Sequence, residues 1–78
     1  MYKYKKIFIE NLQLPEVFEE FSSLTIENTS NWDSLAQITL ISDIETEFDI
    51  ELETEDILLL NSFNAGIEIL KEKGVYIE

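Results

Sequence analysis

The chain has 78 residues, no cysteine, no histidine, and 17 acidic residues against five basic ones, for a net charge of −12. A chain this short makes one small domain, residues 1–78, and buries only about 60% of the surface that it exposes when unfolded. Without cysteine there is no disulfide framework, thiolate zinc site or cysteine nucleophile, and without histidine the commonest general base and transition-metal ligand are missing. The two glycines cannot form a glycine-rich phosphate cradle. Nucleic acid and anionic membrane surfaces repel such a chain. The composition therefore points away from an enzyme and toward a monomeric protein that binds, carries or docks. The apolar run Ile7–Ile9 is too short for a signal segment, and no stretch approaches the roughly 18 apolar residues of a membrane span. The expected compartment is the cytoplasm. With 45% hydrophobic and 12% aromatic residues, the chain has enough apolar surface to fold.

Residues Met1 to Leu14 read as a helix, with Tyr4, Ile7, Phe8 and Leu12 at spacings of three and four. Pro15 closes it, because the residue before a proline is biased away from helix. Glu16–Ser23 carries Val17, Phe18 and Phe21 and reads as one short turn. The following SSLTIENTSN has loop composition, with Leu24 and Ile26 expected to pin it to the core. Asp33-Ser34 is a helix-start signal before the apolar run Leu35, Ile38, Leu40, Ile41, Ile44 and Phe48.

From Asp43 to Glu55 every odd position is acidic, and Ile44, Phe48, Ile50 and Leu52 alternate with those acids. That is the period of a half-buried strand. No second alternating run is present to pair with it, and a lone strand is unstable. The spacing therefore predicts helix to about Phe48 and loop from Asp49 to Glu53. Thr54 reads as an N-cap, with Glu55 and Asp56 in the first turn and a short helix over Ile57–Leu60. Asn61 or Ser62 caps a last helix whose apolar face is Phe63, Ile67 and Leu70, flanked by Ile69. Lys71 and Lys73 suit its last turn, Gly74 stops it, and VYIE is a tail. The expected fold is all-α, a bundle of three longer helices and one short third helix.

The charge is unevenly placed. All five lysines (Lys3, Lys5, Lys6, Lys71 and Lys73) lie near the ends, and from Ile7 to Leu70 there are fifteen acids and no basic residue. Such a field steers basic partner surfaces toward the middle of the chain, or serves solubility alone. The spacing Asp43-x-Glu45-x-Glu47-x-Asp49 superficially suggests a calcium loop, but it lacks the glycine of an EF-hand, and alternate residues on a helix cannot converge. No metal site is expected. Paired carboxylates need a cleft that perturbs them, so a solvated acidic face is the plainer reading. Ser34 has no histidine to activate it as a nucleophile. It either helps to start a helix or is a modification site, where the helix dipole favours an attached phosphodiester.

At NWDSLAQITLI the sequence resembles the acyl carrier protein family, whose attachment motif matches Asp33-Ser34-Leu35. The triplet opens a helix near mid-chain after a long loop. Ile44, Glu45, Glu47 and Phe48 resemble the family's acidic helix end, Ile50-Glu51-Leu52 with Glu55-Asp56 its next loop and short helix, and NSFNAGIEIL its last helix. The resemblance covers about residues 3–74 and favours helix over strand in the acidic run. It implies a four-helix bundle of acyl-carrier type. It also implies a 4′-phosphopantetheine arm transferred from coenzyme A to Ser34 by a separate magnesium-dependent phosphopantetheinyl transferase, with Asp33 and Leu35 beside it. The arm's thiol then carries an acyl group as a thioester, so the cofactor supplies the sulfur that the chain lacks. Partner enzymes that load and transfer acyl groups would bring basic patches to Asp43, Glu45, Glu47, Asp49, Glu55 and Asp56. Leu40, Ile41 and Ile57 would line an apolar space for the cargo, or simply pack the core. Members that serve fatty acid biosynthesis usually carry acids two and five positions after the serine, where this chain has Ala36 and Thr39. Trp32 also stands where they tend to have a small residue. These departures imply a more apolar docking face near Ser34 and a specialised pathway. The alternative function is a noncatalytic acidic adaptor or inhibitor that covers a basic partner surface.

Overall fold

The computed structural model describes residues 2–75. Its helices are α1 (Tyr2–Leu12), α2 (Ser34–Phe48), α3 (Thr54–Leu59) and α4 (Phe63–Glu72), with one 3-10 turn at Phe21–Ser23. Among the described residues there is no strand; the extended pairing is one bridge between Thr25 and Ser62. The architecture is the all-α four-helix bundle of acyl-carrier type, with three longer helices and a short third. α1 packs on α2, and α4 packs on α3 and on the 3-10 turn. No helix among the described residues is long and apolar enough to cross a membrane.

Tyr4, Phe8 and Leu12 recur every four residues along α1 and are fully buried. They share one core with Leu40 and Ile44 of α2 and with Phe63, Ile69 and Leu70 of α4. The Phe8 ring lies 4.9 Å from those of Tyr4 and Phe63 and 5.5 Å from Trp32, edge-on in each case. Edge-on contacts suit the charge distribution of aromatic rings. The buried Tyr4 hydroxyl donates to the Phe63 carbonyl at 2.7 Å, and burial pushes its phenol above the ordinary tyrosine range. Gly66 lets α4 approach this hydroxyl: a Cβ there would overlap it and stand 2.9 Å from a Leu60 methyl.

Helix ends account for most differences from the sequence expectations. α1 stops at Leu12 rather than Leu14, because Gln13 turns left-handed (φ 55°) and the Leu14 N–H bonds back to the Ile9 carbonyl at 3.0 Å. Asn31 also donates to the Leu12 carbonyl at 3.0 Å. Met1 lies outside the described residues. The turn expected over Glu16–Ser23 narrows to Phe21–Ser23, with Phe21 buried and Val17 left exposed. Of the loop's apolar pair, Leu24 is buried and Ile26 is exposed; the loop is held instead by backbone bonds from Ile26 to Asn61 and from Phe63 to Leu24.

α2 runs to Phe48, and Asp49 ends it in the left-handed region (φ 53°). Its inward face differs from the expected one. Leu40 and Ile44 are buried, but Ala36 replaces Leu35 and Ile38, which are 71% and 64% exposed. The buried stripe follows spacings of four from Ala36, which places Leu35 and Ile38 on the opposite side of the helix. The N-cap of α3 is Glu53, not Thr54. Glu53 accepts from the Asp56 N–H, and the Asp56 carboxylate accepts from the Glu53 N–H at 3.0 Å, a reciprocal capping box made of two acids. The short helix consequently begins earlier than Ile57. Ser62 caps α4, accepting from the Ala65 N–H at 3.0 Å. Lys71 occupies the last turn of α4, Lys73 is its C-cap, and Gly74 adopts φ 81°. Val75 packs against the core, while the rest of the expected tail lies outside the described residues.

Candidate functional site

Asp33 adopts an extended backbone and its Oδ1 accepts the Ala36 N–H at 2.9 Å. This cap makes Ser34 the first helical residue and leaves its side chain exposed. The first N–H groups of a helix have no intrahelical partner, so the Ser34 hydroxyl stands beside the positive end of the helix dipole. Ser34 and Asp33 border an open cleft of about 440 Å³, walled by Ile26, Trp32 and Gln37 and by Ile57, Leu58 and Leu60 from α3 and its end. Leu35 turns to the other side, toward a smaller depression with Asn11, Gln13 and Thr39. The three residues of the motif are thus together in one turn but face two directions.

Gln37, which carries no signal of its own in the sequence motif, holds the cleft together. Its Oε1 accepts from the Trp32 indole N–H at 2.6 Å, and its Nε2 donates to the Ile57 and Leu60 carbonyls at 3.3 and 3.1 Å. The available signal was positional. Gln37 stands three and seven residues before Leu40 and Ile44, a polar residue in a buried stripe that must find partners. Trp32 is only 3% exposed, so it adds nothing to the outer apolar surface expected of it. That surface is supplied by Leu35 and Ile38 on α2 and by Leu58 and Leu59 on α3, the last two 75% and 61% exposed and also missed. Leu40 is fully buried and lies outside the cleft, as does Ile41; of the three residues expected to line a cargo space, Ile57 alone does so.

The acids expected to dock partners do not share one face. Asp43 accepts from the Asn11 amide at 2.8 Å, and Glu47 pairs with Lys3 at 3.4 Å, both on the α1 side. Glu45 turns the other way and accepts the Leu52 N–H at 2.8 Å, fixing the loop after α2. Asp49 is the left-handed cap of α2 and is exposed. Glu55 is exposed on the first turn of α3. Asp56 pairs with Lys73 at 2.8 Å; the hydrogen bond from that ammonium lowers the Asp56 carboxyl below the usual range, and the same bond raises Lys73. Between these acids, the outward stripe of α2 (Leu35, Ile38, Thr39, Ser42 and Thr46) carries no charge. Among the described residues no three acidic side chains converge on a common point. Another depression, about 570 Å³, lies between α1 and residues 16–21 and includes none of the motif.

No family model matches the sequence, and no solved structure is matched. Among known proteins, the chain is similar to an acyl carrier protein of Desulforapulum autotrophicum, 31% identical over 72 residues that cover 92% of this chain and 94% of that one. At that identity along nearly the full length of both chains, this protein belongs to the acyl carrier protein family.

Proposed function

We propose that the chain is a single carrier domain that bears 4′-phosphopantetheine on Ser34 and presents an acyl group to partner enzymes in the cytoplasm, without catalysing a reaction itself. The observation that carries this reading is the placement of Ser34: an exposed hydroxyl in the first turn of a capped helix, at the mouth of an open cleft. The residues present fit such a group. A phosphodiester on Ser34 Oγ lies at the positive end of α2. Asp33 keeps one carboxylate oxygen on its cap bond, which fixes the turn that a transferase must recognise. The largely apolar walls of the cleft, interrupted by Gln37, give the arm a surface to lie against. When attached, the group supplies the thiol that this cysteine-free chain lacks.

Docking in this reading divides between steering and contact. The exposed acids Asp43, Glu47, Asp49 and Glu55, with the half-buried Glu45 and Asp56, attract basic partner surfaces, and the uncharged stripe of α2 makes the contact. Charge complementarity raises encounter rates more than it raises affinity, which suits a carrier that must leave each enzyme quickly. The apolar contact and the absence of acids at Ala36 and Thr39 point to a specialised acyl pathway.

Intact-protein mass spectrometry tests the central claim. Incubation with coenzyme A, magnesium and a broad-specificity phosphopantetheinyl transferase is expected to add one phosphopantetheinyl group to the wild-type chain and none to Ser34→Ala. A folded, initially unmodified wild-type chain that gains nothing would overturn the proposal.

A further inference from the structure

The cleft beside Ser34 ends at a closed wall. Trp32 and Leu60 are 3% and 1% exposed, and Gln37 joins them through the Trp32 indole N–H and the Leu60 carbonyl while also holding the Ile57 carbonyl. The Trp32 ring rests edge-on against Phe8, which is itself fully buried. A hydrocarbon chain that grew from Ser34 into the bundle would have to separate Gln37 from all three partners. It would leave the indole N–H and the Leu60 carbonyl facing methylene groups, which offer no replacement hydrogen bonds, and the Ile57 carbonyl with only its bond from the Leu60 N–H. It would also have to displace side chains from a core that is already filled.

We infer that this carrier holds its acyl group in the open cleft rather than inside the bundle, that its cargo is a short or polar acyl group, and that Gln37 is the positioning residue that keeps α3 closed on α2. The inference rests on the reading of Ser34 as the attachment site. It accounts for the polar Gln37 amide in an otherwise apolar wall. A long alkyl cargo would gain from an apolar residue there, whereas a short or polar one loses nothing to a closed interior.

The full chain can be loaded with acetyl, butyryl, octanoyl or dodecanoyl pantetheine arms, with attachment at Ser34 verified by intact mass. Two readouts follow: the rate of thioester cleavage by hydroxylamine, and the emission of Trp32, which is the single tryptophan. Cleavage rates are expected to agree within about twofold across the series, a difference too small to reflect burial of the chain, and the emission is expected not to change with chain length. A sequestered chain would instead slow cleavage by up to about fourfold for each methylene buried. Rates that fall steadily from butyryl to dodecanoyl, with a progressive emission shift, would overturn the inference. The Gln37→Leu variant is expected to acquire that length dependence, and a flat response in a variant whose helical circular dichroism is intact would remove Gln37 from the role. If that variant does not fold, the wild-type series still decides where the cargo lies. Failure of the arm to attach would overturn the reading of Ser34 and this inference together, whereas attachment followed by length-dependent protection would overturn the inference alone.

Discussion

The two sides of the bundle are held by different forces. α1 and α4 meet through rings and aliphatic side chains: Tyr4, Phe8, Phe63 and Leu70 are almost wholly buried, and Gly66 lets the backbone of α4 come close to Tyr4. α3, across the cleft from Ser34, has no buried residue at all. It is held by the Gln37 amide on the carbonyls of Ile57 and of its C-cap Leu60, by its capping box, and by the ion pair from Asp56 to Lys73. Apolar packing on the first side is lost when the whole domain unfolds. Polar contacts on the second can open one element at a time, which places α3 at the low-stability end of the molecule. The side that carries the proposed attachment residue is therefore the side that can move without unfolding the rest.

The largest effect should come from the packed side. Phe8→Ala removes the ring on which Tyr4, Trp32 and Phe63 converge, and a buried Phe→Ala change costs about 3–5 kcal/mol. Small domains have only about 5–15 kcal/mol in total, so the urea midpoint should fall sharply and amide protection in α1 and α4 should drop together. Loss of protection in α3 alone would contradict the division between the two sides. Gly66→Ala should cost less, about 1–3 kcal/mol from overpacking against Tyr4 and Leu60. Because the overlap is with the Tyr4 hydroxyl, a double-mutant cycle with Tyr4→Phe should show coupling, with Gly66→Ala milder once that hydroxyl is gone. An additive cycle would mean that the helices separate as rigid bodies.

This contrast also explains what could be read from the sequence. On the packed side, α1 follows from apolar spacing, since Tyr4, Ile7, Phe8 and Leu12 are all buried as their period requires, whereas on α4 Ile69 is buried and the expected Ile67 only partly so. The same method misplaced Leu35 and Ile38, because hydrophobicity by itself does not say which of two apolar stripes faces inward; Ala36, small enough for close packing, does. The cap at Asp33 was legible from residue type. The cap at Glu53 was not, because a glutamate in that role is unusual and its partner Asp56 reads equally well as a dipole-favoured acid. The position of Ser34 was legible from its motif. The cleft beside it was not, because its walls come from a loop and two helices, and the Gln37 contacts that close it span 20 and 23 residues.

The smallest effect tests the polar side directly. Asp56 has a lowered carboxyl pKa because the Lys73 ammonium donates to it, and Lys73 is raised by the same bond. The Asp56 contribution to stability is thus complete above the unfolded carboxylate value of about 3.9 and is lost as pH falls through the lower folded value. The Lys73 contribution is complete below the unfolded lysine value of about 10.4 and is lost as pH rises through the higher folded value. Between those limits the pair should hold α3 to the end of α4 without pH dependence. Amide protection factors in α3, corrected for intrinsic exchange, should therefore decline on the acid side before those in α1 do. Lys73→Met should lower α3 protection at neutral pH, flatten that acid step, and leave α1 nearly unchanged. Parallel losses in α1 and α3 would show that the short helix opens only with the whole bundle, and the division between the two sides would fall.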